Sequence, residues 1–320
     1  MNIGIIGLGH IAHRFAGVLK TLEHHNLTAV AARDQGKADA FAAQYQAGRA
    51  YGRYQDLIED PAVEGIYIAV THNFHFDIIK ACLENGKAVL CEKPLVITLR
   101  EAQTLTDLAR KNNVLLMEAM WSRYLPAFLK ARSWVEDGRI GDLRLIQASL
   151  CFKVAFDPLH RLFNPDLAGG SLFDLGVYPI EFAIGIAGQA PDQISGLLHA
   201  CPTGVDDAAA ISLSFPRFAQ ASLSCGTAVY SSTDAMIFGT EGSIIVRDFI
   251  RTRQCELYNP DHQMTEQFKA EEIDGFSYEI NHFGELFASR QIESPLMPWA
   301  DTLACCDVFD SLIATAAGKT

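Results

Sequence analysis

The stretch Met1-Asn2-Ile3-Gly4-Ile5-Ile6-Gly7-Leu8-Gly9-His10-Ile11-Ala12 decides the fold of this chain. Its first half is apolar and predicts a buried strand, and its second half carries the spacing Gly-x-Gly-x-x-Ala at the start of a helix. Gly7 permits a tight turn, Gly9 keeps a side chain away from an approaching pyrophosphate, and Ala12 lets helix and strand pack closely. The free N–H groups of the helix N-terminus favour an anion. The pattern predicts a dinucleotide-binding turn, and a tight turn without nucleotide is the alternative.

Apolar runs and helical patterns alternate as far as about residue 120, which predicts a parallel, doubly wound Rossmann sheet. Beyond that point strand-like runs follow one another with few helices between them. We therefore predict an α/β fold with two domains: a Rossmann domain at 1–120 and an α+β domain with a large, open, mostly antiparallel sheet at 121–320. The second domain is predicted to hold strands at 143–152, 194–199, 208–215, 220–225, 235–238 and 243–247, and helices at 126–136, 277–290 and 298–317.

The composition argues against a nucleic-acid or membrane partner. The 320 residues are 49% hydrophobic, and the formal net charge of -12 disfavours binding to nucleic acid or anionic membranes. The sequence predicts no membrane-spanning helix, and its N-terminus is expected to be a first strand and not a signal peptide. The 8 cysteines form no Cys-x-x-Cys pair, and the 10 histidines show no metal-ligand spacing. We expect buried thiols in a reducing cytoplasm and no metal site.

The end of the second predicted strand bears on the choice between NADP and NAD. An NAD enzyme of this fold usually has an acidic residue there, which holds the ribose 2′-hydroxyl. Ala32 and Arg33 occupy this place, and Arg33 together with Lys37 is suited to hold a 2′-phosphate. The pattern favours NADP. NAD is the alternative if Asp34 turns inward, and an exposed helix charge is the alternative for Lys37.

The predicted strand at 63–70 also ends in polar residues, which are Thr71, His72, Asn73 and His75. The carboxyl ends of parallel strands meet at one edge of the sheet, where ligands bind. These side chains are therefore candidates for contact with a nicotinamide or a substrate hydroxyl. Local capping of the next helix is the alternative.

The next strand ends in Glu92-Lys93-Pro94. A lysine at this point presents its ammonium to the ligand edge, and an ordinary solvated strand end is the alternative. Pro94 restricts Lys93 to extended geometry and makes a cis Lys93–Pro94 bond accessible. One strand later the chain reaches Trp121 and Arg123, which we expect to shape the nicotinamide and substrate side.

An acid and a phenol stand four residues apart in the second half of the chain. Asp174 and Tyr178 follow Gly169-Gly170 and project from one helical face, with Gly176 between them. Such a pair above a cofactor is an acid/base arrangement. A capped helix with a packed tyrosine is the alternative, and the presence of Lys93 favours the catalytic interpretation.

These motifs resemble a known family. Gly7 to Ala12, Glu92-Lys93-Pro94 and Asp174-Leu175-Gly176-Val177-Tyr178 are similar to the glucose–fructose oxidoreductase/inositol dehydrogenase/rhizopine catabolism family. Ala31-Ala32-Arg33-Asp34, the segment from Met117 to Arg123 and Gly204-Val205-Asp206-Asp207 resemble its dihydrodiol and D-xylose dehydrogenase branch. Inositol and many sugar dehydrogenases of the family have a histidine where Tyr178 stands, so the tyrosine also resembles the dihydrodiol branch.

The resemblance implies NADP and a homodimer formed through the C-terminal sheet. It implies hydride transfer between nicotinamide and a hydroxyl carbon of a sugar or trans-dihydrodiol, with Lys93 and Tyr178 as the catalytic pair and Asp174 beside them. A free phenol titrates near pH ~10, and a nearby ammonium favours the phenolate. A dinucleotide- or sugar-sensing regulator on the same fold is the alternative, which would need no proton-transfer pair. Cofactor contacts are expected from Gly7, Leu8, Gly9, His10, Ile11, Ala12, Arg33, Lys37, Thr71, His72, Asn73, His75, Glu92, Lys93, Trp121 and Arg123.

Overall fold

The computed structural model describes residues 1–271 and 274–318 and divides the chain into two compact units. The first unit comprises Met1–Val96, Arg100–Ala119 and Asp274–Trp299, and the second comprises the remaining described residues. The strands of the first unit are β1 (Asn2–Ile6), β2 (Asn26–Ala31), β3 (Arg49–Tyr51), β4 (Gly65–Ile68), β5 (Ala88–Glu92) and β6 (Leu116–Ala119). Its helices are α1 (His10–Leu19), α2 (Gln35–Tyr45), α3 (Tyr54–Ile58), α4 (His75–Glu84), α5 (Leu99–Asn112) and α8 (Gly275–Ala288).

The strand order β3-β2-β1-β4-β5-β6, with every neighbouring pair parallel, confirms the predicted doubly wound sheet. The central strand β1 is apolar throughout its interior because helices cover both faces of such a sheet, and Ile3, Ile5 and Ile6 are fully buried. All strands point the same way, so the residues that follow β1, β2, β4 and β5 emerge at one edge.

The predicted domain boundary at residue 120 needs one correction. Helix α8 lies far beyond that boundary in sequence, yet it belongs to the first unit. Its apolar side packs there: the Phe276 ring meets the edge of Phe15 on α1, with ring centroids 6.2 Å apart. Sequence order alone assigned α8 to the second domain because a helical pattern does not reveal which core receives its apolar face.

The second unit is built on a sheet of eight described strands in the order β14-β13-β12-β11-β7-β10-β9-β8. β7 and β10 are parallel and the other neighbours are antiparallel, which confirms the predicted mostly antiparallel sheet. The strands are β7 (Leu143–Cys151), β8 (Gln193–Ala200), β9 (Asp206–Phe215), β10 (Ala219–Gly226), β11 (Ala235–Gly239), β12 (Ser243–Val246), β13 (Gln254–Tyr258) and β14 (Met264–Lys269). The helices are α6 (Pro126–Glu136), α7 (Val177–Ala187) and α9 (Trp299–Ala317).

Helix α7 packs against strands β7 and β10 of the second unit. A π-helical turn, Leu172–Gly176, leads directly into it. The segment Pro165–Ala187 is long and apolar enough to cross a membrane, but 89% of its most apolar window is buried inside the protein. This burial is typical of a core helix, and it fixes in space the side chains that the segment presents at its beginning.

Candidate active site

The glycine turn after β1 has the shape that a dinucleotide requires. Gly7 has φ +88°, and a Cβ there would lie 2.7 Å from the backbone of Ala69, so only glycine fits. Gly9 is exposed at the N-terminus of α1, and the described residues leave open the space that a Cβ would enter. Ala12 is fully buried against the sheet. The turn therefore fits a pyrophosphate at the helix N-terminus.

The end of β2 exposes a cation beside a capped helix. Asp34 is the N-cap of α2, and its carboxylate accepts a hydrogen bond from the Lys37 backbone N–H at 2.8 Å. Arg33 is exposed, and its guanidinium lies over the Phe74 ring, 5.6 Å from the centroid. The Lys37 side chain is also exposed, on the first turn of α2. Asp34 is thus engaged by its own helix, while Arg33 is placed to meet an anion.

The segment after β4 contains both predicted histidines, and the structure gives them different surroundings. Thr71 donates a hydrogen bond to the Asn73 side chain at 2.8 Å, and His72 is half-buried. His75 is fully buried, with Nδ1 3.0 Å from the Pro94 carbonyl oxygen and Nε2 3.1 Å from that of Val70. Burial lowers the pKa of His75, and the backbone carbonyls offset this only in part. The expectation that His75 contacts the nicotinamide is corrected, because both ring nitrogens face backbone carbonyls.

Glu92 and Lys93 are half-buried at the end of β5, and the Lys93–Pro94 peptide bond is cis. The buried Tyr67 hydroxyl donates to the Glu92 carboxylate at 2.5 Å. The Leu95 backbone N–H donates to Glu118 at 3.0 Å, which holds the chain just beyond Lys93. Lys93 therefore sits in a turn that is fastened on both sides at the ligand edge of the first unit.

In the second unit the structure brings Trp121, Asp174 and Tyr178 into one cluster. The Trp121 indole Nε1 donates a hydrogen bond to the Tyr178 hydroxyl oxygen at 3.3 Å. Asp174 lies on the π-helical turn one turn before Tyr178, and it is buried. An indole donor at a phenol oxygen favours the phenolate form.

Arg161 joins this cluster, although the sequence did not single it out. Its two terminal guanidinium nitrogens donate to the two oxygens of Asp174, at 3.0 and 3.1 Å. Burial lowers the pKa of Arg161, but Asp174 and then Tyr178 raise it above the ordinary value. Arg161 lies in the irregular segment after β7, where no periodicity or motif marks an individual side chain. Only the three-dimensional structure shows that Arg161 in this segment contacts Asp174.

Arg123 has a structural environment and not the predicted cofactor-facing one. It is 1% exposed, and its guanidinium is bound by Glu181 at 3.0 Å and by Asp301 at 2.5 Å. Gly185 on α7 leaves room for the guanidinium, which a Cβ would meet at 2.5 Å. Arg123 therefore ties α7 to α9, and the expected cofactor contact is corrected because its guanidinium is paired with the buried Glu181 and the half-buried Asp301.

Within residues 1–271 and 274–318, the His, Cys, Asp and Glu side chains form no group of three that could hold a metal ion. Each unit therefore offers its own set of chemical groups. The first unit offers an anion-binding turn, an exposed arginine and a lysine at one sheet edge. The second offers a phenol, with an indole donor and an arginine–carboxylate pair beside it.

Comparison with known proteins identifies the relatives of this chain. Residues 1–120 match the oxidoreductase family with an NAD-binding Rossmann fold, and residues 128–245 match the GFO/IDH/MocA C-terminal domain. The trans-1,2-dihydrobenzene-1,2-diol dehydrogenase of Mus musculus is 34% identical over 315 residues, which cover 96% of this chain and 94% of that protein. The enzyme of the same name from Homo sapiens is 33% identical over 318 residues, covering 97% and 95%.

Solved structures agree with this relationship. A 3-ketoreductase from Actinomadura kijaniata in complex with NADP and TDP-benzene has a TM-score of 0.85 at 25% identity, covering 99% of this chain and 98% of that chain. An aldose-aldose oxidoreductase from Caulobacter crescentus has a TM-score of 0.90 at 23% identity, covering 100% and 98%, which shows the shared fold. The two matched domains and the nearly full-length identity to named dehydrogenases show that the chain belongs to the GFO/IDH/MocA oxidoreductase family.

Proposed function

We propose that this protein is an NADP-dependent dehydrogenase that transfers a hydride between the nicotinamide and a hydroxyl-bearing carbon of a sugar or trans-dihydrodiol. The observation that carries the proposal is the Tyr178 phenol, held by the Trp121 indole one turn from Asp174, in a chain related along its length to diol dehydrogenases. A phenol in such a setting is a proton acceptor for the substrate hydroxyl.

The choice of NADP rests on Arg33 and Asp34. Asp34 caps α2, so its carboxylate is committed to the Lys37 backbone N–H. Arg33 is exposed over Phe74, where its guanidinium can pair with a 2′-phosphate. Lys37 adds a second positive charge on the same exposed turn. The relative from Actinomadura kijaniata is itself a complex with NADP.

In the proposed mechanism Tyr178 takes the proton of the substrate hydroxyl as the hydride leaves the same carbon. The bound nicotinamide supplies the hydride acceptor in this direction and the donor in reverse. We assign Lys93 to the same reaction as the cation that would favour an ionised phenol. Trp121 orients the phenol oxygen and donates to it. Asp174 holds Arg161, which places a cation beside the phenol.

We also propose that two copies associate through the open face of the eight-stranded sheet. Along β7, Ile146, Ala148 and Leu150 point inward and are buried, so the alternate residues face outward. On other strands Leu197 and Met236 are 63% and 37% exposed. A broad sheet face with exposed apolar side chains favours burial against a second copy. Within the described residues the 8 cysteines are free thiols, which supports a reducing, cytoplasmic location.

A spectrophotometric screen at 340 nm tests the function directly. Purified protein is incubated with NADP+ or NAD+ and with pyranoses that include D-xylose, with trans-diols and with inositols. We expect NADPH formation with at least one pyranose or trans-diol, and slower reduction of NAD+. Tight NADP(H) binding without turnover on any of these alcohols would instead indicate a dinucleotide-sensing regulator.

A further inference from the structure

The segment Gly204-Val205-Asp206-Asp207 contributes a side chain to the helix that carries Asp174 and Tyr178. Asp206 begins β9, and its Oδ2 accepts a hydrogen bond from the Ser171 hydroxyl at 2.6 Å and one from the Leu172 backbone N–H at 2.7 Å. Ser171 is fully buried. Leu172 opens the π-helical turn, so the carboxylate lies where an N-terminal cap would lie.

The chain before this helix is shaped around the carboxylate. Gly170 has φ +125°, and a Cβ at Gly170 would collide with Asp206 Oδ1. The Gly170 backbone N–H donates to the Leu162 carbonyl at 2.9 Å, which ties the turn to the segment that carries Arg161. Asp206 thus lies where β9, the Arg161 segment and the start of the helix meet.

The other titratable groups near Asp206 are paired with partners of their own or are neutral. Its neighbour Asp207 is paired with His199 at 2.6 Å, and Arg161 is paired with Asp174. Cys225 on β10 lies 3.6 Å from the Ser171 hydroxyl, and burial raises the pKa of that thiol to about 12, so it is neutral. Burial raises the pKa of Asp206, and its hydrogen bonds with Ser171 and Leu172 offset only part of that rise.

A shift at this helix end would reach the catalytic groups. Asp174 and Tyr178 follow Leu172 within the next two turns, on a π-helical turn of the kind often found at functional sites. The Trp121 contact at 3.3 Å and the paired Arg161 contacts with Asp174 tolerate little displacement. A displacement of about 1 Å in catalytic geometry can cost on the order of 100-fold in rate.

We propose that Asp206 is a positioning residue, whose carboxylate sets the start of the catalytic helix and thereby the places of Asp174 and Tyr178. We assign to Asp206 no contact with substrate or cofactor. Its effect on rate rests on the proposed function, whereas its effect on the helix does not. The two can therefore be measured separately.

The substrate-independent test is amide hydrogen exchange across residues 171–178 in the cofactor-free protein. Asp206→Asn keeps the size of the side chain but replaces the carboxylate with a neutral amide beside its two donors, the Ser171 hydroxyl and the Leu172 backbone N–H. Exchange of the segment is expected to quicken by about 10-fold, the size of a lost charged cap. Ser171→Ala removes one donor and should give a smaller change. Unchanged exchange in both variants would overturn the proposal, whatever the enzyme does.

The kinetic test uses NADP+ with D-xylose or trans-1,2-dihydrobenzene-1,2-diol. In Asp206→Asn we expect kcat to fall by about 10-fold to 100-fold with the dissociation constant of NADPH unchanged. The acidic limb of the pH profile of kcat/KM should move upward by about one unit, because a displaced phenol loses the donors that favour its ionised form. If the variant only had a smaller folded fraction, kcat/KM would fall at every pH, and the pH of the acidic limb would stay the same.

The matched control is Asp274→Asn, which changes the N-cap of α8 in the first unit, where Asp274 accepts from the Phe276 backbone N–H at 3.1 Å. This variant should keep the wild-type kcat and pH profile. A wild-type kcat and an unmoved limb in Asp206→Asn would contradict the positioning role. If the wild-type protein turns over none of the alcohols of the screen, the proposed function fails while the exchange result still decides the role of Asp206.

Discussion

At the scale of single residues, Arg33 and Asp34 stand where an NAD enzyme usually has an acidic residue that binds the ribose 2′-hydroxyl. The Asp34 carboxylate accepts a hydrogen bond from the Lys37 backbone N–H in α2. The exposed Arg33 guanidinium lies over the Phe74 ring. The ribose edge therefore presents a cation and a capped helix. This arrangement favours a 2′-phosphate over a 2′-hydroxyl.

Arg33→Ala is expected to weaken NADP(H) binding by about 10-fold or more and to change NAD(H) binding little, because a charge-assisted bond to a 2′-phosphate is worth roughly 1.5–3 kcal/mol. Titration of cofactor-free protein with NADPH and NADH, followed by nucleotide fluorescence, measures both constants. Arg53→Ala is a suitable control, since Arg53 is an exposed arginine near the start of α3. Equal losses for the two cofactors would remove the argument for NADP.

The positions of individual residues in the fold were predictable where a motif ties them to a strand end. Gly7, Gly9 and Lys93 lie at the ligand edge because strand and turn signals place them there. The surroundings of Arg161, His75 and Arg123 were not predictable. Their surroundings depend on which distant carbonyl or carboxylate the fold delivers to them, and a linear pattern does not contain that information.

At the scale of secondary structure, α8 places an unusual side chain in the core of the first unit. Glu279 is fully buried, and within the described residues neither carboxyl oxygen has a hydrogen-bond partner. Burial, followed by the negative charge of Glu92, raises the pKa of Glu279 well above its usual value. The native state therefore binds this proton more tightly than the unfolded chain does, and stability falls as pH rises above about 4.5.

Glu279→Gln should remove this pH dependence because the amide stays neutral throughout. The free energy of unfolding of the variant, minus that of wild type, should increase from pH 5 to pH 8. The increase should be roughly 1.4 kcal/mol for each pH unit of that range over which native Glu279 is protonated in the wild type. Urea unfolding at both pH values measures the difference. Glu285→Gln, at an exposed position on the same helix, should show no such trend. A Glu279→Gln difference that is independent of pH would contradict the assignment of a neutral buried acid.

Element boundaries were predictable where local signals agree. Helix α6 runs from Pro126 to Glu136 as predicted, because proline favours the first helical turn and Gly138 follows the end. β13 and β14 were missed. β14 alternates exposed and half-buried residues at the sheet edge and has little apolar character, so its pattern resembles that of a polar loop.

At the scale of the whole molecule, the open face of the eight-stranded sheet bears on assembly. Leu197 lies on β8 and Met236 on β11, so exposed apolar side chains occur on strands well separated in the sheet. Sedimentation equilibrium should give twice the monomer mass for the wild-type chain. Leu197→Lys combined with Met236→Lys should give monomers, because two charges per copy would be buried in the interface.

Leu159→Lys serves as the control for assembly. Leu159 is 81% exposed, but it lies in the irregular segment after β7 and not on a strand. That variant should keep the wild-type mass. A monomeric wild-type protein, or a double lysine variant that stays dimeric, would refute association through the sheet face.

We propose that Lys93 of the first unit and Tyr178 of the second serve the same reaction. Two groups that act as one catalytic pair lose their effects non-additively when both are removed. A double-mutant cycle therefore asks whether they serve one reaction, independently of any assumption about how the units are arranged.

The decisive measurement is single-turnover NADPH formation at 340 nm by wild type, Lys93→Met, Tyr178→Phe and the double variant, with NADPH binding measured for each. We expect each single change to slow hydride transfer by about 100-fold or more, and the double variant to be little slower than the worse single one. Binding of NADPH should survive Tyr178→Phe. A near-wild-type rate in Tyr178→Phe, or a double variant whose loss equals the product of the two single losses, would contradict a shared catalytic pair.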